Sequence, residues 1–199
     1  MIEYTKLKVK TLKELMKTCA VQPRELCLEA IKRNAEFFKL LKNKTHKARL
    51  ESVKQNGLAL KYMKVRSQEV CLEAVKQNPY ALQFVENQTS EICLEAVKRA
   101  GWTLRFVKDQ TPEICLAAVK QYEYALEHVK DQTPEICLAA VKECGAVLRF
   151  VKDQTPEICL AAIKHNGYAL EHVKDQTPEI CQAAIAQNPN VAFYVKIEL

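Results

Sequence analysis

The sequence repeats itself every 22 residues. The segment Thr-Pro-Glu-Ile-Cys-Leu-Ala-Ala-Val-Lys begins at Thr111 and returns almost unchanged at Thr133 and Thr155. Looser copies begin at Ser67, Thr89 and Thr177. A repeat of this length is too short to bury its own apolar face, so each copy must stack on its neighbours. We therefore expect an array of stacked units in place of one globular core.

Each repeat encodes two helices joined by a turn. Thr111, Pro112 and Glu113 form a helix start, because threonine can cap a free amide, proline suits the first helical position and glutamate complements the helix dipole. The apolar spacing predicts a first helix over residues 112–121. Asn-Gly or Asn-Pro pairs in other copies predict its stop, through a left-handed residue or a blocked backbone bond. A second, shorter helix is predicted over residues 124–130.

These features predict an all-α fold, namely an α-solenoid of about eight 22-residue helix-turn-helix repeats with a divergent N-terminal cap. Four glycines and seven prolines in 199 residues are too few for a disordered chain. Residues 1–22 are predicted to form the basic cap. Residues 23–66 are predicted to form two degenerate basic repeats, and residues 67–198 six regular helical-hairpin repeats.

The repeat motif also resembles a known family. The segment beginning at Thr111, followed by Tyr-Ala-Leu-Glu-His-Val-Lys-Asp-Gln at residues 124–132, is similar to an uncharacterised 22-residue helical-hairpin repeat family of giant DNA viruses and some bacteria. The resemblance covers roughly residues 67–195, whereas residues 1–66 depart from the pattern. It implies a helical array and a viral or bacterial source. Because the family is a domain of unknown function, the resemblance implies no chemistry.

Seven of the nine cysteines share one position of the repeat. They are Cys27, Cys71, Cys93, Cys115, Cys137, Cys159 and Cys181. This position lies on the apolar face of the first helix, so we expect small buried side chains. A structural zinc site needs about four converging ligands, whereas successive repeats would hold these thiols one unit apart. The sequence predicts no metal and no cofactor.

Compartment and membrane signals point to the cell interior. An odd number of cysteines favours free thiols and a reducing environment. The sequence contains no apolar run of about 18 residues and no secretory signal. We predict a cytoplasmic protein without a transmembrane segment, in the host cytoplasm if its source is viral.

The sequence shows no catalytic pattern. It contains no nucleophile–base–acid set and no phosphate-binding glycine loop. Repeated polar residues make poor catalysts because every copy has the same environment, whereas catalysis needs one perturbed site. We predict no catalytic residues and no small-molecule substrate. The predicted function is a non-catalytic scaffold that mediates macromolecular interaction, first of all with another protein.

One row of charged residues alternates in sign along the second helices. His128 and His172 stand where Phe106 and Phe150 stand in neighbouring repeats. The residue before each of them alternates in sign: Arg105, Glu127, Arg149 and Glu171. Duplication of a two-repeat block explains this alternation. The alternative is a recognition row on an exposed ridge, as in helical repeats that bind RNA.

Charge is concentrated in the N-terminal third. Residues 1–66 contain 17 Lys and Arg against 6 acidic residues, net +11, and residues 67–199 have net −5. This asymmetry predicts either a solvated basic cap or a surface that binds nucleic acid, an acidic membrane or another polyanion.

The repeat at residues 45–66 also breaks the core pattern. Arg49 replaces the cysteine, Ala48 the isoleucine and Ser52 an alanine. A charge is not buried without a partner, so either the helix exposes Arg49 or an acidic group meets it. The predicted partner-binding residues are Lys47, Arg49, Lys54, Lys61 and Lys64.

A third class of function is end-to-end self-association. The apolar pattern continues towards Leu199 without an evident polar cap, at Val191, Phe193, Tyr194 and Val195. This hypothesis stays open beside the two binding functions.

Overall fold

The computed structural model describes residues 4–198, and the regular structure in this part of the chain is helical throughout. Within residues 4–198 there are nine α-helices of ten residues and nine 3-10 helices, labelled η, and the two types alternate from α2 onwards. The α-helices are α1 (Val9–Thr18), α2 (Arg24–Arg33), α3 (His46–Gln55), α4 (Gln68–Gln77), α5 (Ser90–Arg99), α6 (Pro112–Gln121), α7 (Pro134–Glu143), α8 (Pro156–His165) and α9 (Pro178–Gln187). The 3-10 helices are η1 (Tyr4–Lys6), η2 (Ala35–Leu40), η3 (Gly57–Tyr62), η4 (Pro79–Phe84), η5 (Gly101–Phe106), η6 (Glu123–His128), η7 (Gly145–Phe150), η8 (Gly167–His172) and η9 (Pro189–Tyr194).

The α-helices begin and end where the repeat motif predicts. Thr111 Oγ1 accepts a hydrogen bond from the Ile114 amide at 3.3 Å, and Pro112 occupies the first helical position of α6. The amide of Tyr122 closes the helix by bonding to the Ala118 carbonyl. The predicted helix over Pro112–Gln121 is therefore confirmed.

The turn between the two helices differs from the prediction. No residue among those described has a positive φ angle, so the predicted left-handed stop is wrong. Asn166 is extended, with φ −155°, and its side-chain oxygen accepts a hydrogen bond from the Tyr168 amide at 3.0 Å. The asparagine therefore serves as the cap of the following helix, and one extended residue is enough to reverse the chain.

The second helix of each repeat is a 3-10 helix, and the predicted bounds of residues 124–130 are also wrong. In η6 the helix covers Glu123–His128, and the Val129 amide bonds back to the Leu126 carbonyl at 3.1 Å. This tighter helix still buries Ala125, Leu126 and Val129, the three residues expected in the core.

The chain forms two compact units, Met1–Ala96 and Val97–Leu199. Within each unit, α-helices of successive repeats pack against one another and form an α layer. The 3-10 helices of successive repeats also pack together and form a 3-10 layer. These tandem helical repeats, each packed against its neighbours, make the fold an α-solenoid, as the sequence predicts. The predicted boundaries after residues 22 and 66 separate the cap, the degenerate repeats and the regular repeats, and they stay a prediction.

A glutamine joins each regular repeat to the next, and we call this contact the glutamine bridge. In the second unit it is formed by Gln110, Gln132, Gln154 and Gln176. Gln154 Nε2 donates to the Leu148 carbonyl of its own repeat at 3.1 Å and to the His172 carbonyl of the next at 3.0 Å. Its Oε1 accepts from the Lys174 amide at 2.9 Å. One side chain thus satisfies backbone groups on both sides of the interface.

The first unit replaces this glutamine at two positions, Lys44 and Arg66. Arg66 reproduces part of the bridge, because it donates to the carbonyls of Met63 and Phe84, both at 2.8 Å. Its guanidinium also pairs with Glu86 at 2.6 Å. Lys44 Nζ bonds to the carbonyls of Lys39 and Leu41, which lie on its own side of the interface. The interface after Lys44 therefore lacks the side-chain contacts that a glutamine makes.

Candidate interaction surface

The cysteines line the α layer beside the glutamine bridges. From Cys71 to Cys181 the six members of the repeated position are buried, whereas Cys27 is half-buried. Cys159 Sγ lies 3.9 Å from Gln154 Oε1 and Cys137 Sγ lies 3.8 Å from Gln132 Oε1, so the thiols act as weak donors. Burial raises the pKa of the Cys137 and Cys159 thiols, and these groups are protonated at neutral pH.

Potential metal ligands do not cluster in residues 4–198. In that part of the chain no group of three or more His, Cys, Asp or Glu side chains is placed to hold a metal ion. The same described residues contain no helix with the length and hydropathy needed to cross a membrane. The polar chemistry of the molecule is instead spread along its two layers.

The 3-10 layer of the second unit carries a row of paired aromatic rings. The second residue of one 3-10 helix contacts the sixth residue of the next. Trp102 and His128 pack edge to face with ring centres 4.8 Å apart, and Tyr124 and Phe150 do the same at 6.2 Å. The pairing arises because successive 3-10 helices pack side by side and the residues at both positions are half-buried between them. Edge-to-face contacts of this kind hold the rings in defined orientations.

Two arginines lie over these rings. The guanidinium carbon of Arg105 is 5.5 Å from the Trp102 ring centre and 5.3 Å from that of Phe106. Arg149 is 5.7 Å from Tyr124 and 4.6 Å from Phe150. Both arginines are exposed, so the charge faces solvent while its planar group stacks on the rings. We call these paired rings and the two arginines the aromatic–arginine surface, which comprises Trp102, Arg105, Phe106, Tyr124, His128, Arg149 and Phe150.

Two further side-chain features belong to this surface, one at Tyr124 and one at His128. The Tyr124 hydroxyl lies 3.8 Å from Cys144 Sγ, and hydrogen bonding to Cys144 raises the pKa of Tyr124. His128 Nε2 is buried and has no hydrogen-bond partner among the described residues. In the repeats of His128 and His172 the neighbouring exposed residue is Glu127 or Glu171 instead of arginine. The charge along the surface therefore alternates, as the sequence indicates.

The five N-terminal residues predicted to bind a partner do not lie on one surface. Lys47 and Lys54 are exposed on α3, and Lys54 Nζ lies 3.8 Å from Glu73 Oε2. Lys61 belongs to the 3-10 layer, where its Nζ is 5.9 Å from the Tyr62 ring centre. Lys64 follows η3 and is exposed. The α layer and the 3-10 layer thus divide the predicted patch.

Arg49 follows neither of the two expected outcomes in full. It lies on α3 in the cysteine position and is half-buried, so the helix neither exposes it completely nor buries it. Within residues 4–198 it forms no ion pair. A long side chain can reach water with its charged end while its methylene groups cover the apolar layer, which explains how the position tolerates arginine.

Two features were not predicted from the sequence: the glutamine bridge and the ring at the second position of each aromatic pair. The signal for the bridge was present, since glutamine recurs before the helix-starting threonine in most copies. The rings also had a signal, because an aromatic residue recurs at the second position of the 3-10 helix in four repeats, namely Tyr80, Trp102, Tyr124 and Tyr168.

Comparisons with known proteins point to one family. The sequence profile of a domain of unknown function, DUF4116, matches residues 49–90, 67–110, 89–133 and 133–176. Each matched segment spans about two repeats, and together they cover more than half of the chain. The matches begin within the repeat at residues 45–66, earlier than the predicted start near residue 67, and end at residue 176, before the predicted end near residue 195. Neither the curated proteins nor the solved structures contain a match. The chain belongs to the DUF4116 family, whose function is unknown.

Proposed function

We propose that this protein is a non-catalytic scaffold that binds another protein through the aromatic–arginine surface of its second unit. The observation that carries the proposal is the row of ordered rings with arginines stacked on them. Tryptophan, tyrosine and arginine are the residues that contribute most often to binding energy at protein interfaces. Because neighbouring rings already fix these side chains, binding would lose little conformational entropy.

The rings are not required by the core. Ala146 stands in η7 where Trp102 stands in η5 and Tyr124 in η6, and the helix forms in all three cases. Tyr122, whose ring packs against those of Trp102 and Tyr124, is 36% exposed, so apolar ring surface next to this set remains open to solvent. A partner that covers these rings would gain the free energy of burying that surface.

The charge pattern favours a protein partner over a nucleic acid for this surface. Arg105 and Arg149 alternate with the exposed Glu127 and Glu171. A polyanion attracted by the arginines would be repelled by the glutamates of the intervening repeats. A protein can present both signs of charge at matching positions. Residues 97–199 as a whole hold 12 basic and 13 acidic residues, which gives no general attraction for phosphate.

Absence of catalysis and a reducing location are parts of the same proposal. The polar residues of the surface recur in equivalent surroundings, whereas catalysis needs one singular site. All nine cysteines are free thiols in this structure, and free thiols are typical of a reducing cytoplasm.

The experiment is affinity isolation from the native source with the unmodified protein and two matched variants. We expect a partner retained by the unmodified protein and by the control Lys120→Ala/Lys142→Ala, which removes two exposed charges from the α layer. We expect its loss with Arg105→Ala/Arg149→Ala. The retained partner should resist nuclease and should bind about equally at 50 and about 200 mM salt. Equal retention by both variants would contradict the proposal.

A second candidate function is binding of single-stranded nucleic acid by the first unit, and it has its own observation. Lys39 Nζ lies 4.7 Å from the Tyr62 ring centre, and Lys61 lies 5.9 Å from Tyr62 and 6.0 Å from Phe84. A hydrogen bond from Lys39, with further positive charge from Lys13 and Lys61, lowers the pKa of the Glu36 carboxyl. Aromatic rings flanked by basic groups are the features by which proteins stack and hold single strands.

Binding of a uridine homopolymer to the full chain tests this second function. Lys39→Glu/Lys61→Glu should abolish binding, whereas Lys47→Glu/Lys54→Glu changes the charge equally on the α layer and should weaken it only slightly. Binding should fall steeply between about 50 and about 200 mM salt. No binding by the unmodified protein at about 50 mM salt would exclude it. End-to-end self-association stays a prediction.

A further inference from the structure

The first unit contains a cavity of about 430 Å³ at the point where the repeat pattern is broken. It lies between α2 and α3. Its apolar wall includes Cys27, Leu28 and Ile31 from α2, and its opposite wall includes Ala48 and Ser52 from α3. Segments 20–22 and 41–45 line two further sides, so four parts of the chain bound the cavity, which also opens to solvent.

One substitution in the repeat, alanine for isoleucine at residue 48, removes side-chain volume from the cavity wall, and a second places a hydroxyl beside it. Ala48 stands where α6 and α8 have Ile114 and Ile158, both almost completely buried. Ser52 is buried where the other repeats have alanine, and its hydroxyl donates to the Ala48 carbonyl at 2.6 Å. Protein interiors are close-packed, and an unfilled void lowers stability. A ligand that fills the void would restore the lost contacts.

The charged side chains around the cavity already have hydrogen-bond partners within the protein. Arg24 makes two bonds to Glu51, Nη2 to Oε1 at 2.7 Å and Nε to Oε2 at 3.1 Å. Lys42 Nζ donates to the carbonyls of Cys19 and Ala20, at 2.7 and 3.3 Å. These are the three charged residues of the lining. A charged ligand would therefore have to break an existing pair, or it would lose its hydration without gaining a partner of opposite charge.

We propose that this cavity binds a small, electrically neutral and largely apolar organic molecule. Its volume lies in the range of ligand pockets, about 300 to 1,000 Å³, and its walls combine apolar side chains with a few polar groups at the rim. A cavity of this volume, lined by four segments of chain, fits a compact molecule better than an extended peptide. The site is independent of the aromatic–arginine surface, which belongs to the other unit, and it requires no conversion of the ligand.

The neutral fluorophore N-phenyl-1-naphthylamine, which becomes bright in apolar surroundings, is the probe for this site. Titration into the unmodified full chain should give a saturable rise in fluorescence with one site per molecule. Ala48→Ile restores the residue of the regular repeats and places three more carbon atoms in the cavity, so it should weaken binding at least about tenfold. The matched control Ala186→Ile adds the same side chain at an exposed position of α9 and should leave binding unchanged.

Alkylation of Cys27 by N-ethylmaleimide gives a second measurement on the unmodified protein. Cys27 is half-buried in the cavity wall, and Cys144, half-buried in the second unit, is the internal control. Saturating probe should slow alkylation at Cys27 and leave the rate at Cys144 unchanged, as followed by peptide mass spectrometry. The proposal is overturned by an absence of saturable binding, by equal binding in the Ala48→Ile variant or by an unprotected Cys27.

Discussion

The repeats at residues 45–66 and 155–176 have the same helices but meet their neighbours with different residues. Both begin with a threonine cap: Thr45 Oγ1 accepts from the Ala48 amide at 3.2 Å, and Thr155 Oγ1 accepts from the Ile158 amide at 3.3 Å. In both, an asparagine caps the 3-10 helix at 3.0 to 3.1 Å. The caps and the 3-10 core thus specify the hairpin, whereas the residues that face the next repeat can change without loss of the fold.

The two repeats differ in what joins them to the chain on either side. The later repeat presents buried Ile158 and Cys159 and is held by the glutamine bridge of Gln154. The earlier repeat has Ala48 and half-buried Arg49 at these positions. Its contacts with the next repeat include exposed side-chain pairs, such as His46 with Glu69 at 2.9 Å. Exposed ion pairs contribute about 0 to 1 kcal/mol each. We therefore expect the first unit to be held together less tightly than the second.

The largest expected effect comes from removing a glutamine bridge. Gln154→Ala leaves the His172 carbonyl and the Lys174 amide without this partner at the interface, and the Leu148 carbonyl keeps only its bond from the Val151 amide. We expect the free energy of unfolding to fall by about 3 kcal/mol in urea titration. Gln182→Ala, at an exposed position of α9, is the control and should change it by less than about 0.5 kcal/mol. Similar values for the two variants would remove the distinction between the repeats.

A smaller loss is expected from Gly145→Ala, which tests how closely successive repeats approach. A Cβ atom at Gly145 would lie 2.5 Å from the Ala162 carbonyl oxygen, a backbone atom of the next repeat. We expect a loss of about 2 kcal/mol because the backbone must shift. Glu123 occupies the same position in η6, so Glu123→Ala should have little effect on the thermal midpoint. If Gly145→Ala is equally silent, the interface is looser than in this structure.

Arg49→Cys makes the earlier repeat more like the later one. It removes a half-buried charge and restores the residue of the cysteine position, so we expect a gain of about 1 kcal/mol in the free energy of unfolding. Lys47→Cys, on the exposed side of α3, is the matched control and should be neutral within about 0.5 kcal/mol. Destabilisation by Arg49→Cys would show that arginine contributes contacts at this interface.

The smallest effect concerns the pH dependence of the second unit. Burial, followed by a nearby aspartate, raises the pKa of the thiols of Cys115, Cys137 and Cys159. The unfolded chain therefore releases these protons first, and the stability from the protonated thiols is present below about pH 8.5 and falls as the pH rises towards the folded-state pKa. Replacing the three cysteines with alanine should flatten this decline in chemical denaturation. An unchanged slope would mean that burial does not affect these thiols.

Most of the fold was predictable because its signals are local. Thr111 and Pro112 mark the start of α6, and the apolar face of that helix is evident from the spacing of Ile114 and Ala118. The type of the second helix was not predictable from these signals, since six residues bury Ala125 and Leu126 in either an α or a 3-10 helix. The difference depends on the one-residue turn before the helix and on packing against the next repeat.

The candidate surface was predictable only in part. The alternation of Arg105 and Glu127 is visible in the sequence, but the contact of Trp102 with His128 depends on the 3-10 geometry of two neighbouring helices. The glutamine bridge was missed because its partners are backbone groups of the following repeat, which carry no residue-type signal. Lys54 and Lys61 are close in sequence, yet the hairpin assigns them to different layers.

The glutamine bridge also bears on how such a chain can change in copy number. Each bridging glutamine ends one repeat, and its carbonyl and amide partners in the next recur with every copy, as Gln132 with Phe150 and Gln154 with His172 show. An inserted or deleted segment of 22 residues therefore adds or removes donors and acceptors in equal number. Unequal recombination between copies leaves no buried polar group unpaired, so selection on stability opposes it little. The near-identity of the segments that begin at Thr111, Thr133 and Thr155 is the pattern that such exchange produces.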